Sequence, residues 1–366
     1  MRWFPLFLPA LLAAILAGCA APHPQPSASE GRALIARYIP ASVPDREAWA
    51  ADIYTPMAVL DIPVTPENVC AIVAVTEQES GFHVDPVIPD LPAIARAEIE
   101  RRREKLGIPQ LVLDAALSVR SADGKTYRER LEHVRTERDL SELYEEFIGR
   151  VPFGRTLLES RNPVRTGGPM QVNVDFAREQ VKEKPYPYAV VESIRDEVFA
   201  RRGGMYFGIA HLLDYPARYD RVIYRFADFN AGHYASRNAG FQAAVTQVTG
   251  IPLALDGDLL RYEGGEASKD RGNTEAALRV LARRLDMSDA DMRRDLEHEK
   301  DAQFGDSTLY RRVFSLAEQT SGAPLPRAVL PTIPLQSPKI TRKLTTDWFA
   351  RRVDERYQRC LARGRS

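Results

Sequence analysis

Glu77-Gln78-Glu79-Ser80-Gly81-Phe82 places two carboxyl groups at the end of an apolar stretch. A carboxyl group held half-dry has its charged form disfavoured, so its pKa rises and it can donate a proton near neutral pH. A glutamate in the last helical turn also meets the negative end of the helix dipole, which mildly disfavours it. The plain alternative is a solvated glutamate closing a helix. Glu77 and Glu79 lie about 200° apart at roughly 100° per residue, so both cannot face one cleft.

Two later segments can bind a polar ligand. Gly167-Gly168-Pro169-Met170-Gln171 combines glycines, which allow close backbone approach, with a stiffening proline. Met170 there can form an apolar shelf, and Gln171 offers both a donor and an acceptor. Phe226-Ala227-Asp228-Phe229-Asn230-Ala231-Gly232 ends a helix at Gly232 and carries Asn230, able to bind a ligand or orient a carboxyl group. A loop entering a helix and a helix end are the plain readings of these two segments.

The elements that must hold them read as helices. Thr65-Pro66 is a strong start, with a side-chain oxygen for an orphan amide and a proline at the first helical position. From there Val69, Ile72, Val73 and Thr76 fall on one side, and Gly81 supplies a stop. Further helices are expected over 32–38, 92–107, 140–148, from 171 or 172 onward, and over 205–213, 219–229, 240–247, 274–285, 308–319 and 346–363. The 205–213 run (MYFGIAHLL) is apolar nearly all round and should be buried. Ser121-Ala122-Asp123-Gly124, Asp256-Gly257-Asp258 and Glu263-Gly264-Gly265-Glu266 read as turns or loops. Five prolines between Pro324 and Pro338 predict an extended wrap. No repeat of solenoid period and no sandwich-like alternation is present.

The N-terminus reads as a targeting segment. Arg2 precedes an apolar run from Trp3 to Leu16, too short and proline-broken for a span of roughly 20 residues. Leu16-Ala17-Gly18-Cys19 then matches a lipoprotein processing site, which makes residues 1–18 a signal peptide and Cys19 the lipidation point. Ala20, where an aspartate would signal inner-membrane retention, points to the outer membrane and a periplasm-facing domain. Residues 19–31, rich in Pro, Ser and Ala, read as a flexible tether. The expected contact with the membrane is therefore the lipid on Cys19.

The full chain has 366 residues, with 50 basic and 50 acidic side chains. That balance argues against general nucleic-acid binding, which needs a basic footprint. No histidine shows metal-ligand spacing, and no phosphate loop, dinucleotide fingerprint or serine elbow is present, so neither a metal nor a cofactor is expected. Apart from Cys19 the cysteines are Cys70 and Cys360. In an oxidising compartment they can form a disulfide; two buried free thiols are the alternative.

The order of the three segments resembles the signature of lytic transglycosylases in the lysozyme-like superfamily. Those enzymes carry Glu-Ser at a helix end, then Gly-Leu-Met-Gln, then Ala-Tyr-Asn-Ala-Gly. Here the matching residues are Glu79-Ser80, Gly168-Pro169-Met170-Gln171 and Asp228-Phe229-Asn230-Ala231-Gly232. Gly208, His211 and Leu212 fit the buried helix before the third motif. The resemblance covers about 60–250, and the overall pattern is also similar to the YaiW-like outer-membrane lipoproteins. It implies a mainly α fold: a lysozyme-like core over 32–255, a helical insertion near 92–165, and a C-terminal helical extension over 256–366. It further implies that Glu79 is the catalytic residue and that Ser80, Gly168, Met170, Gln171, Phe229 and Asn230 bind substrate. The substrate would be peptidoglycan glycan strands, and the insertion could line the groove or bind an envelope protein.

Three departures stand out. The segment between the first two motifs is far longer than usual, leucine is replaced by Pro169, and tyrosine by Phe229, which cannot offer a hydroxyl to the glutamate. Asp85 or Asp175 would be the second carboxylate of a hydrolase. A binding protein that keeps the lysozyme-like fold is the non-enzymatic alternative.

Overall fold

A computed structural model describes residues 26–335 and 343–365; the expected signal peptide, Cys19 and the end of the proline-rich wrap lie outside them. Ser27 caps α1 (Ala28–Tyr38) in a reciprocal box with Glu30, so the helix begins inside the segment expected to be tether. The next helix, α2 (Arg46–Val59), was not expected; it enters through a left-handed Asp45 with no side-chain cap and contains Pro56. Thr65 accepts from the Asn68 amide and starts α3 (Pro66–Glu79).

Every residue of α3 from Val69 to Thr76 is fully buried, not one face alone. Three helices surround it: α1, α11 (Arg201–Leu213), and the C-terminal α18 (Thr346–Arg363). Burying each Val or Ile contributes about 1.5–3 kcal/mol relative to exposure, so this stretch is a principal source of stability. Cys70 and Cys360 are joined by a disulfide with Cα atoms 5.5 Å apart. Residues 256–366 are accordingly not a uniform extension, because their last helix completes the first core.

The segment expected to be an insertion forms its own small core. It runs through α4 (Leu91–Lys105), α5 (Gln110–Ser118), α6 (Tyr127–Leu131), α7 (Glu137–Arg150) and α8 (Gly154–Leu158). Arg195, almost fully buried, ties it to the body by donating to the Val164 carbonyl (2.8 Å) and the Ser141 hydroxyl (3.3 Å). A two-residue antiparallel hairpin follows, β1 (Thr166–Gly167) with β2 (Val172–Asn173). Asn173 then caps α9 (Val174–Glu183), and α10 (Ile194–Phe199) leads into α11.

Beyond α11 come α12 (Ile223–Ala231) and α13 (Ala235–Thr249). Phe241, Ala244 and Val245 of α13 seed a second core. A short hairpin, β3 (Tyr262–Glu263) with β4 (Glu266–Ala267), precedes α14 (Asn273–Arg279), α15 (Ala282–Leu285), α16 (Asp289–Leu296) and α17 (Thr308–Ser321). The single helix expected over 274–285 is thus two. The extended wrap returns to the body through Val329 and Thr332, whose amides donate to Ser236 and Leu255 carbonyls. The fold is mainly α, and no helix among the described residues is long and apolar enough to cross a membrane.

Candidate functional site

Glu77 and Glu79 leave α3 on different sides. Glu77 lies two turns beyond Cys70 and faces α18, where Arg356, Arg359 and Arg363 stand 3.7, 3.7 and 3.9 Å away. Thr76 faces α11 instead, with its hydroxyl 4.0 Å from Met205 Sδ. Glu79 sits one turn beyond Thr76, on that same side, and is half-buried. The Ser80 hydroxyl turns back to donate to the Thr76 carbonyl at 3.2 Å, and a ring nitrogen of His83 bonds the Ser80 carbonyl at 2.8 Å. Gly81 (φ 59°) and Phe82 (φ 64°) are both left-handed. That conformation costs a non-glycine residue about 1–2 kcal/mol, and Phe82 is held in it by burial and an edge contact with Trp49 at 5.2 Å.

The second segment forms the turn of the β1–β2 hairpin. The Gln171 amide donates to the Gly168 carbonyl at 3.1 Å, and its side-chain Nε2 donates to the same oxygen at 3.3 Å. Gln171 is half-buried and left-handed (φ 52°), an unusual setting for a non-glycine residue. Gly168 and Met170 are buried, which corrects the contact roles expected of them. A Cβ on Gly168 would lie 2.1 Å from the Val198 carbonyl oxygen, so glycine serves chain packing there and not ligand approach. Met170 fills the notch left by Gly208; a Cβ on Gly208 would fall 2.4 Å from Met170 Sδ. It is a peg, not a shelf.

The third segment closes α12. Phe229 is half-buried with its ring 5.0 Å from that of His211, and its carbonyl accepts from His211 Nε2 at 3.1 Å. Asn230 is exposed. Asp228, noticed in the sequence only as part of the motif, anchors this end of the helix. It is fully buried and accepts from the Tyr219 (2.6 Å) and Tyr215 (3.1 Å) hydroxyls and the Ser236 (2.7 Å) and Tyr234 (3.0 Å) amides. Burial raises its pKa while these donors oppose the rise. Four donors on one carboxylate fix the chain on both sides of Asn230.

The three segments therefore share one support. Thr76 meets α11 at Met205, Met170 at Gly208, and Phe229 at His211. The seven residues from Met205 to His211 span about 9 Å of helix axis. His211 is stacked on His233 (4.5 Å between centroids), which is stacked in turn on Tyr215 (4.1 Å). Phe176 covers the edge of His211 at 4.7 Å. Burial, reinforced by His233, pushes the His211 pKa down to about 3, so the imidazole is neutral. His211, Phe176 and His233 are spread over 58 positions, and no sequence spacing announces that they meet.

Neither rival carboxylate joins this group through a contact. Asp175 is bound at the surface by Arg165 at 3.1 Å and approached by Arg178 at 3.7 Å. Asp85 lies beside the insertion, where burial raises its pKa and Thr136 opposes the rise.

Comparison with known proteins gives a family without an activity. No solved structure matches the chain. A curated relative in Escherichia coli (strain K12), carrying the name "Uncharacterized protein YaiW", is 50% identical over 363 residues, which is 98% of each chain. Residues 42–363 match the family model described as "Protein of unknown function (DUF1615)". The chain belongs to this family of YaiW-like proteins.

Proposed function

We propose that the chain is a peptidoglycan lytic transglycosylase with a lysozyme-like core, anchored to the outer membrane through lipid on Cys19. The observation that supports this reading is that the three segments bearing Glu79, Gln171 and Asn230 pack on one stretch of α11 through the neighbouring residues Thr76, Met170 and Phe229. Partial burial of Glu79 suits a group that must be protonated at rest and ionised during the reaction.

Glu79 in its acid form donates its proton to the glycosidic oxygen between N-acetylmuramic acid and N-acetylglucosamine. The C1–O bond breaks with the electron pair going to that oxygen, and the substrate's N-acetyl group stabilises the charge left on C1. The Glu79 carboxylate then takes the proton of the muramic C6 hydroxyl as that oxygen bonds to C1. The product is a 1,6-anhydro sugar, and Glu79 is again protonated, so no water is consumed. Two carboxylates, as in hydrolytic glycosidases, are not needed. Proton transfer by one placed group contributes about 10²–10⁴-fold. The remaining rate comes from holding the sugars with Gln171 and Asn230 on fixed turns. Ser80 shapes the end of α3 beneath Glu79, and Gly168 and Met170 position the Gln171 turn.

Phe229 favours a second reading, a glycan-binding protein without turnover. Its ring packs on His211 and supplies no hydroxyl to tune the acid. Incubation with purified sacculi separates the two. Release of anhydro-ended muropeptides supports the enzyme, reducing ends indicate a hydrolase, and binding without release supports the second reading.

A further inference from the structure

The insertion holds a cavity of about 690 Å³ between α4, α5 and α7. That volume sits within the roughly 300–1,000 Å³ of small-molecule sites. Its walls are aliphatic and aromatic, with Ile99, Leu106, Val112, Leu113, Ala116 and Phe147 prominent. The two tyrosines that reach it offer it no hydroxyl: Tyr127 bonds Glu146 at 3.3 Å and Tyr144 bonds the Leu158 carbonyl at 2.8 Å. The buried part of an occupant must therefore be hydrocarbon, since any polar group there would lose its partners.

The helix α5 reinforces this. Six of its residues are Leu, Val or Ala, yet none is buried, and Leu111 and Val112 are 79% and 55% exposed. So short a helix is not stable in water by itself, and its principal contact is with α6. A concave cavity excludes a flat protein face and fits a flexible chain.

The lining also has a charged side. Arg102, Arg103 and Arg165 face two glutamates, Glu98 and Glu137. Glu98 is already neutralised, with Arg101 and Arg102 bonded at 2.6–2.8 Å holding its pKa down to about 2. Arg102 and Arg165 are about half exposed and each is bonded to a carboxylate, Glu98 at 2.6 Å and Asp175 at 3.1 Å; exposed pairs of this kind contribute little, so an incoming anionic head can replace the carboxylate. We infer that the insertion is a receptor for a single long acyl chain carrying an anionic head, the hydrocarbon lying against α5 and the head meeting Arg102 and Arg165. This site is separate from Glu79 and stands whether or not that residue is catalytic.

The test uses the full chain held in amphipol and the fluorescent fatty acid cis-parinaric acid. Saturable binding of one probe per chain is expected, displaced both by palmitate and by lysophosphatidylglycerol. If only one of the two displaces it, that one identifies the head, carboxylate or phosphate. Neutral monopalmitin should compete about tenfold more weakly. Ala116→Trp fills the cavity and should lower probe affinity at least about tenfold with the melting temperature unchanged. Val112→Glu, at an exposed cavity edge, should do the same without any core disturbance. The paired change Arg102→Glu, Arg165→Glu should weaken palmitate and lysophosphatidylglycerol and leave monopalmitin unaffected. Absence of saturable binding, or equal binding by wild type and Val112→Glu, would overturn the inference. So would dimerisation that Val112→Glu abolishes without probe binding, since the apolar face would then belong to a second copy.

Discussion

Gly208→Ala should impair function far more than stability. The added methyl would sit 2.4 Å from Met170 Sδ and 2.5 Å from Met170 Cβ. Ordinary contact between such atoms is about 3.5–4.0 Å, so Met170 must retreat by about 1 Å or more. Overpacking of this kind costs about 1–3 kcal/mol. Replacing glycine by alanine inside a helix returns up to about 1 kcal/mol. The net loss is therefore about 0–2 kcal/mol, readable by urea denaturation. Gln171 follows Met170 directly and is bonded to the same turn, so it must move as well. A displacement of about 1 Å in a positioning group costs on the order of 10²-fold in rate. Release of soluble muropeptides from sacculi measures that loss. In a Met170→Gly background, which removes the Cβ as well as the sulfur, the notch is empty, and Gly208→Ala should then have almost no further effect on rate or stability. Equal effects in both backgrounds would show that the peg does not place Gln171.

Replacing both Cys70 and Cys360 by alanine removes a link across 290 positions; a loss of about 2–5 kcal/mol is expected by urea titration, and a loss below about 1 kcal/mol would contradict the clamp on α3. Asp228→Ala leaves the Ser236 and Tyr234 amides without their acceptor, so several kcal/mol of stability should go, at about 1–3 kcal/mol per orphaned donor; an unchanged melting temperature would refute its anchoring role. Burial depresses the pKa of His211 from 6.5 to about 3, so the folded state binds fewer protons than the unfolded state across that interval. The stability His211 contributes is thus full above about pH 6.5 and lost as pH falls toward 3, amounting to about 2 kcal/mol by pH 5. His233 is shifted the same way and adds to the drop, while the raised Asp228 opposes it. His211→Gln should flatten this acid limb in melting curves recorded from pH 7.5 to 4.5, and an unaltered slope would count against it.

Local chemistry was readable where caps are written in the chain. Thr65-Pro66 marks the start of α3, α18 begins at the expected Thr346 although its N-cap Thr345 makes no side-chain cap bond, and the 205–213 run is as buried as its composition implies. What could not be read was direction and distance. Met170 carries no sign in the sequence of pointing inward beneath Gly208. Helix α2 escaped because it opens on a left-handed Asp45 and contains a proline, both of which resemble breaks. The split of 274–285 falls at the exposed Val280 and the buried Leu281, which sequence periodicity bridges smoothly. Glu77 and Glu79 could be separated in angle, but which of them faced α18 depended on a helix almost three hundred residues away.

The central assignment is best tested by the initial rate at which anhydro-ended muropeptides leave purified sacculi, compared for wild type, Glu79→Gln and Glu77→Gln. Glu79→Gln should abolish release while still binding sacculi, and Glu77→Gln, which only loosens partly exposed pairs with α18, should retain most of it. Undiminished release by Glu79→Gln, or its loss in Glu77→Gln alone, would contradict the account.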